Sequence, residues 1–179
     1  MKRNSNKNQK GFSLVELLIV VVVIGILAAV AIPNLLSSRR SANEGSAIAD
    51  LRTVYGAQMT YATSYGRGNY AGDAGSAVNV EPFTQLGAVG VIDSVLAGGF
   101  KSGYIFTGAK IDANSGNPPS FCVRAVPLSA SGPFATGPHN IAVATDGVLN
   151  SGGAADINSA GCSNASGVEI VTYAIPLGT

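Results

Sequence analysis

The sequence predicts an α+β chain in which one long N-terminal helix packs against a small antiparallel β-sheet head. Three observations predict it. Residues 17–38 carry no charged side chain and are mostly Val, Ile, Leu and Ala. Apolar residues then recur at steps of three and four as far as Ala62, the period of a helix with one buried stripe. Beyond Phe100, short β-branched and aromatic runs alternate with turn-forming sequence.

The apolar run comes first. About twenty such residues suffice for a helix to cross a hydrocarbon core of roughly 30 Å. Lipid offers the backbone no hydrogen-bond partner, so a spanning segment of this length must be helical. Lys2, Arg3, Lys7 and Lys10 precede the run, which places the N-terminus in the cytoplasm and exports the C-terminal part. Residues 1–11 are short, basic and polar and read as a leader outside the fold.

Glu16 lies just inside this helix. A charge at the centre of a membrane helix costs about 2.5–3.5 kcal/mol on insertion scales, and less near the interface. One reading leaves Glu16 tolerated at the membrane edge. The other gives it a partner: cleavage after Gly11 would put a new α-amino group on Phe12, four residues before Glu16. That cation would neutralise Glu16 on its own helix or on a neighbouring one.

The helix is expected over residues 12–64. Gly25 and Pro33 interrupt its apolar half. Pro33 removes a backbone donor and crowds the carbonyl of Ala29, so a kink is expected there. From Asn34 the pattern is amphipathic, with Ile48, Leu51, Tyr55, Met59 and Ala62 as the buried stripe. Arg39, Arg40, Glu44, Asp50 and Arg52 occupy other faces. Tyr55, Tyr61 and Tyr65 read as packing residues rather than a charge-transport stack. Gly66-Arg67-Gly68-Asn69 should end the helix near Tyr65.

Residues 66–99 are rich in Gly, Ala, Ser and Asn and read as a connecting loop with short helical turns at 82–86 and 91–96. Strands are expected at 103–108, 120–128, 139–144 and 168–175. Asn114-Ser115-Gly116-Asn117-Pro118-Pro119 is a turn by composition, and Asp146-Gly147 suggests a tight one. Short turns imply an antiparallel sheet with one face on the helix stripe and the other solvated. Residues 151–167 read as a loop carrying Cys162.

Cys122 and Cys162 both fall on the exported side. An even count in an oxidising compartment favours one disulfide, closing a loop of about forty residues worth about 3–4 kcal/mol in the chain-entropy model. Two free thiols are the alternative, and a metal site is disfavoured because His139 is the only histidine and the cysteines are far apart.

Composition excludes several function classes. The net charge is +1, and without the four leader cations seven basic side chains face ten acidic ones, a net of −3. Nothing in that balance points to nucleic acid. No nucleophile elbow, phosphate-binding loop or zinc-protease motif is present, so no enzyme activity and no cofactor are expected. His139, beside a turn, reads as a surface or strand-edge residue. Asp146 and Asp156 lack a calcium-ligand spacing, so no metal is expected either.

Gly11-Phe12-Ser13-Leu14-Val15-Glu16-Leu17-Leu18 resembles the class III signal of type IV pilins and the related pseudopilins. The resemblance covers Lys10 to about Pro33 and does not identify the head. It implies a pilin-like fold and four segments: a removed leader (1–11), a transmembrane and assembly half-helix (12–36), an amphipathic half-helix (37–65) and a globular head (66–179). It implies cleavage between Gly11 and Phe12 by a prepilin peptidase, N-methylation of Phe12, and pairing of Glu16 with the Phe12 amine of an adjacent subunit. It also implies loss of helical order from Gly25 to Pro33 in the filament and a C-terminal loop pinned by a bridge such as Cys122–Cys162. The implied partners are further copies in a helical filament, the membrane before assembly, and a platform protein with its ATPase. The implied location is the inner membrane as a single-pass protein, and afterwards an extracellular pilus.

Three rivals are weighed beside the pilus subunit. A pseudopilin of type II secretion would share the same signature. A monomeric tethered or secreted binding domain would not polymerise. Ala29-Val30-Ala31 also matches the end of an ordinary signal peptide, which would leave Ile32 first. The apolar stretch exceeds the usual 7–15 residues of such signals.

Overall fold

The computed structural model describes residues 11–73, 79–113, 118–152 and 175–176. The chain divides into two units, Met1–Ser37 and Ser38–Thr179. Helix α1 (Leu14–Ser64) supplies the first unit and opens the second. The second unit continues with α2 (Glu81–Ala88), α3 (Ser94–Ala97) and strands β1 (Phe100–Lys101), β2 (Tyr104–Ile111), β3 (Ser120–Pro127), β4 (Asn140–Ala144), β5 (Leu149–Gly152) and β6 (Ile175–Pro176). The strands form one antiparallel sheet in sequence order, a plain meander. The predicted α+β class holds.

The first unit is helix with its apolar side chains outward. The hydrogen-bonded helix runs through Gly25 and Pro33 in this single chain. Its start has a local cause: Glu16 and Leu17 donate their backbone N–H groups to the carbonyl of Ser13, at 3.1 and 3.3 Å.

In the second unit, the remainder of α1 lies on the inner face of the sheet. Ala47, Leu51, Val54 and Ala57 join Tyr104, Phe106, Phe121, Val123, Ala125, Ile141 and Val143 in one core. Burying each of the larger side chains contributes about 1.5–3 kcal/mol. The buried stripe is rotated from the one expected. Its centre is Ala47, Leu51, Val54 and Gln58, while Ile48, Tyr55 and Met59 flank it half-buried. The reason is polar. Gln58 is fully buried, and its side chain takes the N–H of Ala71 at 2.8 Å and donates to that residue's carbonyl at 3.2 Å. A reading by apolar residues alone cannot see such a position.

The expected helical turns are longer or shifted. Asn79 Oδ1 accepts the N–H of Glu81 at 2.9 Å and Pro82 sits in the first turn, so α2 starts before the apolar residues do. Asp93 caps α3 by accepting the N–H groups of Val95 and Leu96, each at 3.0 Å. Phe83, Leu86 and Leu96 close the core over Phe106.

Strand β2 extends three residues beyond the expected end, and β3 and β4 fall where expected. Strand β1 was not anticipated. Ser102 and Gly103, at φ of 50° and 76°, form the two-residue loop joining it to β2. Positive φ at both positions is the signature of the hairpin turn that matches strand twist. Strand β5 was expected to be loop at its end. It pairs Leu149 with Val143 across the Asp146-Gly147 turn, where Gly147 has a φ of 75°. Of the fourth expected strand only Ile175 is described, in β6. Cys162, Asp156 and most of the 114–119 turn lie outside the described residues.

Candidate functional site

The predicted assembly residues lie at the start of α1. From Phe12 to Leu35 every Phe, Leu, Ile and Val side chain is exposed, Phe12 to 76%. The helix is long and apolar enough to cross a membrane. A contiguous apolar surface of this extent marks a surface that lipid or other protein covers.

Glu16 has a local partner that the sequence reading missed. The backbone N–H of Ser13 lies 3.4 Å from Oε2 of Glu16. Ser13-Leu14-Val15-Glu16 is the S-x-x-E spacing of a capping box, and the third-position carboxylate here reaches back to the capping residue. The carboxylate also sits at the positive end of the helix dipole. At 3.4 Å the bond is long, so an ammonium group can replace it at small cost.

In the second unit, one stretch of α1 holds the loop between β3 and β4. Arg40 donates to the carbonyl of Gly132 at 2.7 Å, and Asn43 to that of Thr136 at 2.9 Å. Glu44 Oε1 lies 2.8 Å from His139 Nδ1. His139 is exposed beside β4, as expected of a strand-edge residue, and its carbonyl accepts from the hydroxyl of Tyr104 at 3.3 Å. Burial, and then the charge of Glu44, push the Tyr104 phenol well above its ordinary value.

A second polar link joins three elements. Lys101 Nζ reaches Asp50 at 2.8 Å and Asp93 at 3.1 Å. Asp50 raises the lysine's pKa most, followed by Asp93. The N–H of Leu96 lowers the pKa of Asp93 most, followed by Lys101. Asp50, expected on an outer face, is thus nearly buried and paired.

Asp146 is used by its own turn, accepting the N–H of Val148 at 3.0 Å. Among the described residues no group of three His, Cys, Asp or Glu is arranged to hold a metal. Tyr61 and Tyr65 lie 6.0 Å apart, and Tyr55 packs on Phe121 at 5.9 Å.

Residues 6–32 match the prokaryotic N-terminal methylation motif. The particular relatives fall in two groups. The type IV major pilin protein PilA of Myxococcus xanthus is 43% identical over 56 residues, 31% of this chain and 26% of that protein. The type IV wide pilus major component PilA4 of Thermus thermophilus is 51% identical over 55 residues, 31% of this chain and 42% of that protein. The type II secretion system core protein G of Klebsiella pneumoniae is 34% identical over 55 residues, 31% of this chain and 39% of that protein. The chain therefore spans between 26% and 42% of the length of these curated relatives. No solved structure matches. The resemblance to type IV pilins and pseudopilins, read from Lys10 to Pro33, is borne out by the motif at residues 6–32 and by relatives that match 31% of the chain.

Proposed function

We propose that this chain is a structural subunit of a type IV pilus filament and not an enzyme. The observation that carries the proposal is an exposed apolar helix beginning with the methylation motif and holding a single carboxylate at Glu16. The leader 1–11 is removed between Gly11 and Phe12 by a prepilin peptidase, and the Phe12 amine is methylated. The chain waits in the inner membrane with its N-terminus cytoplasmic, anchored by residues 12–36. A platform protein and ATPase then move it into a homo-oligomeric filament outside the cell. There Glu16 exchanges its long bond to Ser13 for the Phe12 amine of an adjacent copy. The segment from Gly25 to Pro33 gives up helical order in the polymer, since Pro33 leaves one carbonyl without its donor. Residues 37–65 support the head, 66–179, and a Cys122–Cys162 disulfide pins the C-terminal loop.

The match to core protein G supports a second reading, a pseudopilin of type II secretion. N-terminal sequencing of the mature protein, imaging of surface filaments and a secretion assay on a deletion strain test the two together. Phe12 first, with filaments present and secretion intact, is the expected result. Ile32 as first residue removes both readings, and monomer under every condition favours a tethered or secreted binding domain.

A further inference from the structure

Phe134 is 83% exposed, the most exposed large apolar side chain among the described residues, and it stands outside the apolar helix. Its loop is stapled. Ala135 donates to the carbonyl of Gly132 at 3.2 Å, closing a tight turn with Pro133 and Phe134 at its corners. Thr136 donates to the carbonyl of Ser129 at 2.8 Å and closes the neck below. Arg40 and Asn43 fix the same loop to α1. An aromatic ring displayed on a loop already held in place loses little entropy on binding, which is what an interface anchor requires.

A receptor for such a ring exists elsewhere on the same unit. Arg52 and Tyr55 of α1, with Val148 and Leu149 beyond the Asp146-Gly147 turn, line a groove of about 250 Å³. A dry apolar cavity of about 150 Å³ suffices for a benzene ring. Among the described residues the Arg52 side chain makes no hydrogen bond or ion pair, and a guanidinium over the negative face of a phenyl ring is an electrostatic match. Tyr55 adds an aromatic wall and Val148 an exposed apolar one.

We propose that Phe134 of one copy inserts into the Arg52–Tyr55–Val148 groove of the next copy. The inference rests on the filament reading above. Its geometry suits a filament, because knob and groove are different surfaces. Arg40, which anchors the knob, precedes Arg52 by twelve residues, which is roughly 18 Å of axial rise and about a third of a turn around α1. A knob that enters the next copy's groove without that copy's knob returning to the first is a heterologous contact, and it propagates as a filament where its rotation does not close.

The test places the photoreactive amino acid p-benzoylphenylalanine at position 134 of the full chain and irradiates filaments assembled in cells. The expected product joins two copies, and its cross-linked peptide contains Arg52 and Tyr55 or Val148 and Leu149. Arg52→Glu should lower the yield of that product roughly tenfold while Arg52→Lys keeps most of it. Phe134→Ala should lower filament recovery roughly tenfold with the membrane level of the chain unchanged. A cross-link elsewhere on the second copy, within one chain, or to a different protein overturns the inference, as does a yield indifferent to Arg52→Glu. Filaments that form without the cross-link sink the knob and leave the filament reading standing. No filaments from the natural chain sinks that reading, and the knob with it.

Discussion

The backbone N–H of Ser13 and the Oε2 of Glu16 lie 3.4 Å apart across the first turn of α1. The carboxylate thus has a modest occupation in the isolated chain, and the relationship separates two effects that one alanine substitution would merge.

Glu16→Gln keeps an oxygen that can cap the helix and removes the charge, whereas Glu16→Ala removes both. Capping is worth about 0.5–2 kcal/mol, which a membrane-embedded helix does not need. Both variants should therefore insert normally. If charge pairing with Phe12 governs assembly, both should lose most of the sheared filament fraction. Membrane fractionation and filament recovery check this, and full filament yield from Glu16→Gln would falsify the proposed pairing.

Gln58 and Ala71 bear on the head. The fully buried amide satisfies both peptide groups of Ala71, so Gln58→Ala strands two buried polar groups and leaves a void. A loss of about 3 kcal/mol is expected, summing an unsatisfied pair with a small cavity. Gln58→Glu keeps the volume and the acceptor, loses the donor and buries a charge, so it should be no milder. Urea unfolding followed by tyrosine fluorescence measures both.

Much of this fold was legible because apolar spacing carries helices and strands directly. The extent of α1, the class of the domain, β3, β4 and the Asp146-Gly147 turn all followed from such spacing. The parts that were missed are held by polar groups or by very short pairings. Gln58 and Asp50 displaced the buried stripe because a satisfied polar side chain is as compatible with the core as an apolar one. Strand β1 has two residues, too few for any period, although Ser102-Gly103 was a readable turn signal. At the assembly segment the Glu16 anomaly was visible as a charge in an apolar run. Its capping bond was also within reach, through the Ser-x-x-Glu spacing. The stapling of Phe134 was not readable, since Arg40 and Gly132 meet only in the folded chain.

The Asp50–Lys101–Asp93 link predicts a pH window. The carboxyl of Asp93 is held below its ordinary 3.8, so its contribution is present above that value and is lost as pH falls through the folded one. Lys101 is held above its ordinary 10.5, so its contribution is complete below 10.5 and is lost as pH rises through the folded value. Lys101→Met should cost about 2 kcal/mol at pH 7, chiefly by leaving Asp50 buried without its cation. Asp93→Asn should cost little, because that carboxylate is half exposed and Asn still caps α3. Only the small share of that difference carried by Asp93 should fade as pH falls through its lowered folded value, and unfolding curves of both chains at descending pH check it.

Gly137 and Tyr104 make the last prediction. A Cβ on Gly137 would overlap the hydroxyl and ring of Tyr104, which is buried and bonded to the carbonyl of His139. The ring cannot retreat, because Tyr104 pairs with Lys101 and Pro127 in neighbouring strands and lies in the core. Gly137→Ala should therefore destabilise the head by about 1–3 kcal/mol, as overpacking does. Tyr104→Phe alone loses one hydrogen bond, a change of about 1 kcal/mol, and leaves space where the hydroxyl was. The double variant loses the nearest overlap, at the hydroxyl, but the methyl would still meet ring carbons at 2.5 and 2.7 Å, so it should recover only part of the Gly137→Ala loss. A double-mutant cycle by thermal or urea unfolding measures the coupling. Additive losses would mean that the hydroxyl is not what the alanine methyl meets first.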